Sequence, residues 1–376
     1  MKIRSVQAHI LEAPLERPFA WSFSQADRRQ SVLVEITTED GVTGWGECYG
    51  YVRPTAAMVE TMAGLLAGED ALATERLWQK LHNAFRDQGQ RGIVIAALSG
   101  IDIALWDIKG KALGQSVHRL MGGPIRERVR AYATGLYRRF EGDPVEYLAE
   151  EAGGYAAEGF AAVKLKVGFG IAEDLRNAKA VREAIGPEVG LMVDANHGYD
   201  VAHAARLGRA LAELDVGWFE EPVVPEDVAG YAELRHLQPV PVAGGECSFT
   251  RWDFGELFTR RALDVVQPDL CGVGGLSEGK KIADMAAAFG VRCVPHVWGT
   301  GIGLAAALQF LAVLPSNPPV HRPVEPMLEF DRTEHPFRQA VLAEPLEHSD
   351  GWVDVPTRPG LGIEIDRKAL VRFTLR

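Results

Sequence analysis

AAVKLKVG, residues 161–168, is an apolar run interrupted only by Lys164 and Lys166. A spacing of two puts both ammonium groups on one face of a strand. Further along, similar runs end in Asp194, Glu220, Glu246, Asp269 and His296, at steps from Lys164 of 30, 26, 26, 23 and 27 residues. Each step is the length of one strand and one returning helix. Units of that kind roll a parallel sheet into a barrel whose strand ends share one mouth, where these side chains are expected to converge.

Outward from that stretch, candidate strands fall at 129–134, 161–167, 190–196, 217–220, 240–246, 263–269, 291–296 and 324–330. Ala-rich amphipathic segments such as 202–214 and 278–289 separate them, and eight strands suffice to close a barrel. Upstream, residues 6–11 and 31–37 alternate as strands and Glu39-Asp40-Gly41 makes a turn. Residues 92–113 form a helix with Ile93, Ala97, Ile101, Ala104, Leu105 and Ile108 on one face and Gly114 as its stop. The chain thus divides into an α+β module over residues 1–125, a barrel over 126–350, and a Gly- and Pro-rich tail over 351–376 that is expected to return to the first module.

With 376 residues, 47% hydrophobic and 24% charged, the chain is a globular protein of about two domains. Its balance is acidic, 40 basic residues against 51 acidic, and no basic cluster would track a phosphate backbone, so nucleic acid is not an expected partner. No membrane span is expected, because every apolar run is broken well short of 18 residues. The start alternates like a strand and lacks the apolar centre of a secretory signal. Cys48, Cys247, Cys271 and Cys293 form no CxxC pair, which fits reduced thiols and a cytoplasmic location.

Two buried lysines repel, and repulsion with desolvation is expected to bring one amine toward the range of a general base; solvent-facing lysines on an edge strand are the plainer alternative. Asp194, Glu220 and Glu246 close VDAN, FEEP and GGEC. Three converging carboxylates call for a hard dication such as Mg²⁺, since zinc would want histidine or cysteine; pairing with the lysines is the alternative. Asp269 and His296 end neighbouring strands, so the carboxylate can fix the imidazole tautomer and make it an acid/base. Gly274 to Lys280 satisfies GxxxxGK, but Lys281 stands where a phosphate loop needs Ser or Thr, and the segment reads as a turn. Gly299, Gly301 and Gly303 fall short of a dinucleotide fingerprint and are expected to let backbone amides approach a substrate carboxylate. Trp21, Phe23, Tyr49 and Tyr51 occupy expected loops of the first module and suit a lid; Trp21, Tyr49, Trp298 and Asn196 are the candidate substrate contacts.

Taken in order, KLK, VDAN, FEEP, GGE, QPD, PH and LEF resemble the enolase superfamily and its mandelate racemase subgroup nearly end to end. AALSGIDIALWDIKGKALG (96–114) and PGLGIEI (359–365) are similar to other recurrent segments of that family. The resemblance implies an α/β fold, a TIM-like modified (β/α)7β barrel with an N-terminal α+β capping domain. It also implies Mg²⁺ on Asp194, Glu220 and Glu246, and removal of the proton alpha to a carboxylate through an enediolate. By the same resemblance Lys166 is one base, and His296 with Asp269 is the acid/base on the opposite face. Lys164 neutralises the substrate carboxylate, Glu329 is an acid hydrogen-bonded to substrate, and Asn196 supports the metal. HVWGTGIGLAAALQFLAVLP (296–315) resembles acid-sugar members, galactarolactone cycloisomerases among them. The expected reaction is β-elimination on an acid sugar or its lactone, by a homo-oligomer acting on a small carboxylate. Racemisation or epimerisation of a 2-hydroxy acid is the alternative, and a non-catalytic barrel binding protein is the alternative of another class.

Overall fold

The structure, a computed structural model, describes residues 1–318, 320–321 and 324–375. Its first unit is an antiparallel sheet of β1 (Ile3–Trp21), β2 (Ser24–Thr38) and β3 (Thr43–Cys48), covered by α1 (Val52–Leu66), α2 (Thr74–Phe85) and α3 (Ile93–Leu113). β1 and β2 run far beyond the alternating segments and pair as far as Trp21 with Ser24, so Ser22 and Phe23 form a hairpin tip. The register shifts between Pro14 and Phe19, the stretch that holds Pro14 and Pro18, because proline cannot donate to a ladder.

α3 differs from the one-faced helix expected, because Ile95 to Leu105 is buried on every side. One side lies on β3, where a Cβ at Gly46 would sit 1.9 Å from the Gly100 carbonyl oxygen. The other meets the helix Gly275–Ala288, where Asp102 accepts from Ser277 Oγ at 2.6 Å. Gly114 ends α3 in the left-handed conformation, as a glycine C-cap does.

The second unit contains eight parallel strands, β4 (Arg128–Thr134), β5 (Ala162–Lys166), β6 (Gly190–Asp194), β7 (Val216–Glu220), β8 (Val242–Gly244), β9 (Val265–Val266), β10 (Arg292–Cys293) and β11 (Leu328–Asp331). Among the described residues seven α-helices separate them, which gives the (β/α)7β order. The ladder runs β10-β9-β8-β7-β6-β5-β4-β11, and among the described residues it stays open between β10 and β11. The Glu329 carboxylate spans that seam, accepting from Val297 N at 2.9 Å. The later strands are shorter than the apolar runs suggest, since Glu246, Asp269 and His296 lie beyond the paired residues and curve over the mouth.

Alternation within the strands sorts the two sides. Val163, Leu165, Leu191 and Val193 face the helices, while Tyr132, Ala162, Met192, Trp218, Ala243, Val265 and Val294 fill the interior. That apolar layer is a floor. The charged ends of the same strands stand above it.

The tail meets both units. β12 (Trp352–Asp354) pairs antiparallel with β4 and therefore joins the barrel first. The chain reaches the first sheet only afterwards, where Leu375 N donates to Ile10 O at 2.8 Å and Arg367 Nη2 meets Glu35 at 2.6 Å. All four cysteines are free thiols, and among the described residues no helix is long and apolar enough to cross a membrane.

Candidate active site

Lys164 and Lys166 both point inward from β5, as their spacing requires, and both are buried. Lys164 Nζ lies 2.6 Å from Glu220 Oε1, 2.7 Å from Glu329 Oε1 and 3.9 Å from Asp194 Oδ2. Lys166 donates to Asp194 Oδ2 and, at 2.9 Å, to Asn196 Oδ1. The expected depression of a lysine is not what the geometry gives. Burial opposes the ammonium charge, but Glu220 and Glu329 hold Lys164 well above the usual lysine range, and Asp194 does the same for Lys166. Asp194, Glu220, Glu246 and Glu329 together outweigh the mutual repulsion of two lysines.

Asp194 ends β6, Glu220 ends β7 and Glu246 follows β8, and ligand oxygens of the three lie within 4.8 Å of one another. Backbone and side-chain donors aim them: Asn196 N donates to Asp194 Oδ1 at 2.8 Å, while Trp218 Nε1 and Gln267 Nε2 reach Glu220 Oε2 at 2.9 and 2.6 Å. Negative charge is in excess. Burial, with Asp194, Glu329 and Glu246 close by, pushes Glu220 up to about 7 despite Lys164. Such an acid either takes a proton or is neutralised by a cation. An all-oxygen set of three carboxylates fits a hard dication, and this repulsion is the strain that one would relieve.

His296 and Asp269 meet as their strand ends predict, with Nδ1 to Oδ2 at 2.6 Å and Asp269 Oδ1 accepting from Cys271 N at 2.7 Å. His296 Nε2 is 3.4 Å from Glu246 Oε2. Burial disfavours the imidazolium, but Glu246, Glu329 and the bond to Asp269 together raise it to about 10. Glu329 accepts from Thr134 Oγ1 at 2.6 Å as well as from Val297 N, and against its burial Lys164 and His296 lower it to about 2. It is therefore an ionised acceptor here, where the resemblance implies a carboxylic acid.

Lys166 and His296 both line a cavity of 110 Å³, together with Trp21, Phe23, Tyr49, Tyr137, Asn196, Trp298 and Glu329. They come from strands five places apart in the ladder and so face each other across the mouth. Tyr49 sets its ring edge-on to His296 at 5.5 Å, and Trp21 meets Trp298 at 6.0 Å. Trp298 Nε1 is buried without a partner. Tyr51 is 80% exposed and is no part of the wall. A wider cleft of 490 Å³ beside His82 and Trp252 has its Asp253 paired with Arg91 at 2.7 Å and, among the described residues, gathers no metal-ligating cluster, so volume alone does not locate the chemistry.

The glycines of HVWGTGIG do not await a substrate carboxylate. Donors of that segment already hold Glu47 of β3: Thr300 N and Gly303 N each donate to it at 2.8 Å, and Thr300 Oγ1 at 2.7 Å. A Cβ at Gly299 would lie 2.6 Å from Glu47 Oε1, which is why that position has none. Glu47 is buried and ties the first unit to the N-terminus of the helix Gly301–Val313. Gly274, at φ +118, precedes the helix at Gly275 and is the turn expected of it.

Family models place the chain. Residues 5–122 match the mandelate racemase / muconate lactonizing enzyme N-terminal domain, and residues 147–369 match the enolase C-terminal domain-like family. The chain belongs to the mandelate racemase group of the enolase superfamily. A D-galactarolactone cycloisomerase of Agrobacterium fabrum is 55% identical over 100% of this chain and 99% of its own length. A 3,6-anhydro-D-galactonate cycloisomerase of Zobellia galactanivorans superposes with a TM-score of 0.91 at 39% identity, covering 100% of both chains. A racemase of Streptomyces coelicolor with bound magnesium superposes with a TM-score of 0.89 at 31% identity, covering 99% of this chain and 100% of its own.

Sequence reading did not single out Glu47, Tyr137, Gln267, His197, Glu221 or Cys247. Glu221, His197 and Cys247 stand beside residues it did select, in FEEP, DANH and GGEC. Adjacency was the available signal.

Proposed function

We propose that the chain is a Mg²⁺-dependent enzyme that removes the proton alpha to the carboxylate of an acid-sugar lactone and eliminates the β-oxygen, as a galactarolactone cycloisomerase does. The placement of Lys166 opposite an Asp269-supported His296, over the cluster of Asp194, Glu220 and Glu246, carries this reading. Mg²⁺ held by those three carboxylates supplies charge stabilisation for the enediolate oxygens. The relatives named as cycloisomerases and the racemase with bound magnesium support both halves of it.

The chain's own residues do the rest. Lys166 takes the alpha proton in its neutral form, which requires Asp194 to be neutralised by a cation other than Lys166. Lys164, fixed between Glu220 and Glu329, presents positive charge to the carboxylate being activated. As the C–H electron pair moves into the enediolate, the β C–O bond breaks and its pair leaves on oxygen. Where that oxygen belongs to the lactone, the leaving group is a carboxylate and the ring opens. His296, ionised through its acidic neighbours, is positioned to donate a proton during elimination or to complete the tautomerisation to a 2-keto-3-deoxy acid. Trp298 Nε1, an unsatisfied donor on the wall, suits a substrate hydroxyl or carbonyl oxygen. Trp21 and Phe23, at the end of the β1–β2 hairpin, narrow the mouth against water.

The test is incubation of purified protein and Mg²⁺ with aldarates, aldonates and aldarolactones, followed by assay for 2-keto acid. Product from a lactone is expected, and silence across the panel counts against the proposal. Two facing bases also permit racemisation. Proton NMR in D₂O separates the readings, because exchange with inversion and no keto product would favour the racemase.

A further inference from the structure

A second donor set lies beside the three carboxylates. Glu221 follows Glu220, Cys247 follows Glu246, and His197 stands three residues after Asp194. Ligand atoms of His197, Glu221 and Cys247 all lie within 4.8 Å of one another. His197 Nε2 is 3.3 Å from Glu221 Oε2 and 3.8 Å from Cys247 Sγ. Zinc binds nitrogen and oxygen at about 2.0–2.2 Å and sulfur at about 2.3 Å, so the edges of its tetrahedron are roughly 3.3 to 3.6 Å. The nitrogen–oxygen separation of 3.3 Å matches such an edge, and the nitrogen–sulfur separation of 3.8 Å exceeds one by only about 0.2 Å.

Other features agree. Asn196, His197 and Glu221 adopt φ of +39, +67 and +42, backbone conformations that non-glycine residues keep only where the surroundings enforce them. His197 stacks on Phe23 with ring centroids 5.7 Å apart, which fixes the imidazole plane. Glu221 is 1% exposed, while His197 and Cys247 open onto the cavity. The donors also differ in kind from the neighbouring centre: one nitrogen, one oxygen and one sulfur, where Asp194, Glu220 and Glu246 offer only oxygen.

We propose that His197, Glu221 and Cys247 form a second metal site that takes a thiophilic dication, Zn²⁺ above all, next to the all-oxygen centre. Binding releases the Cys247 proton to solvent as the sulfur–metal bond forms, and thiolate and carboxylate together balance the dication. The fourth position opens on the cavity, where a filled site stands in the path of the substrate.

The test uses the full chain loaded with Mg²⁺ and titrated with Co²⁺, which reports its ligands in the absorption spectrum. One further Co²⁺ per chain is expected, with a thiolate-to-metal charge-transfer band in the near ultraviolet. Cys247→Ser should abolish that band, and His197→Gln should weaken Co²⁺ binding by at least about tenfold. Glu220→Gln should keep the band while losing the carboxylate centre, so failure here is distinguishable from failure of the proposed function. A parent protein without the band, or a band that survives in Cys247→Ser, overturns the assignment.

Discussion

Glu47→Ala tests the join between the two units. The carboxylate accepts from Ser31 Oγ, Thr300 N, Thr300 Oγ1 and Gly303 N, all in a buried setting. The hydroxyls can turn to other acceptors, whereas the two amides at the start of the helix Gly301–Val313 cannot. A buried amide without a partner costs about 1–3 kcal/mol, so truncation should cost roughly 2–6 kcal/mol. For a chain of this length the unfolding entropy is on the order of 0.8 kcal/mol per kelvin, which converts that loss to a melting midpoint lower by about 3–8 °C. Glu47→Gln keeps one acceptor oxygen and should lose only about 1 kcal/mol. The charge gives a second signature. Burial lifts the Glu47 carboxyl above its ordinary value, against the bonds from Ser31 and Thr300, so the native state holds the proton more tightly than the unfolded chain. Stability from this group is therefore present below the ordinary glutamate range and is lost as pH rises through the raised value, a slope that Glu47→Gln lacks. Differential scanning calorimetry of the three proteins at one scan rate measures both. A midpoint for Glu47→Ala within about 1 °C of the parent would refute the reasoning.

Replacing Lys166 with Met should reduce 2-keto acid formation by about 10²–10⁴-fold with the fold intact by circular dichroism, and a loss below tenfold would remove Lys166 as the base. In metal-free protein, NMR of labelled histidine should find His296 titrating near about 10, above its ordinary 6.5. Its pairing then stabilises the fold fully below pH 6.5, and that contribution is lost as pH rises through about 10. Asp269→Asn should lower that titration by roughly 1–2 units, and an unchanged curve would show that Asp269 does not support the imidazole. Trp298→Phe keeps the ring but removes the unpartnered N–H. It should raise KM for a lactone by about three- to tenfold with a smaller change in kcat, and equal KM values would remove Trp298 from substrate recognition.

The barrel was legible because its signal is periodic. Lys164, Asp194, Glu220, Glu246, Asp269 and His296 recur at the length of a βα unit, and any fold that keeps those units in one parallel sheet must gather them. Period does not encode where pairing stops. β9 keeps only Val265–Val266 of the candidate strand 263–269 because the chain turns into the mouth after it. The behaviour of the lysines was beyond sequence for a related reason. Counting Lys164 against Lys166 predicts repulsion, but Glu329 arrives from the far end of the chain to bind Lys164, and that contact exists only once β11 pairs with β4. Glu47 was hidden in the same way, since nothing in TGWGEC names a partner 253 residues later. Tertiary contacts of that range determine whether a buried charge is a base, a latch or a ligand.

The most direct measurement is a crystal structure of the protein grown with Mn²⁺ in place of Mg²⁺, with the ion located by anomalous scattering. The account predicts one ion bonded to oxygens of Asp194, Glu220 and Glu246, with Lys166 drawn off Asp194 toward the cavity it shares with His296. An ion bound elsewhere, or Asp194 still paired to Lys166 at saturating Mn²⁺, would contradict it.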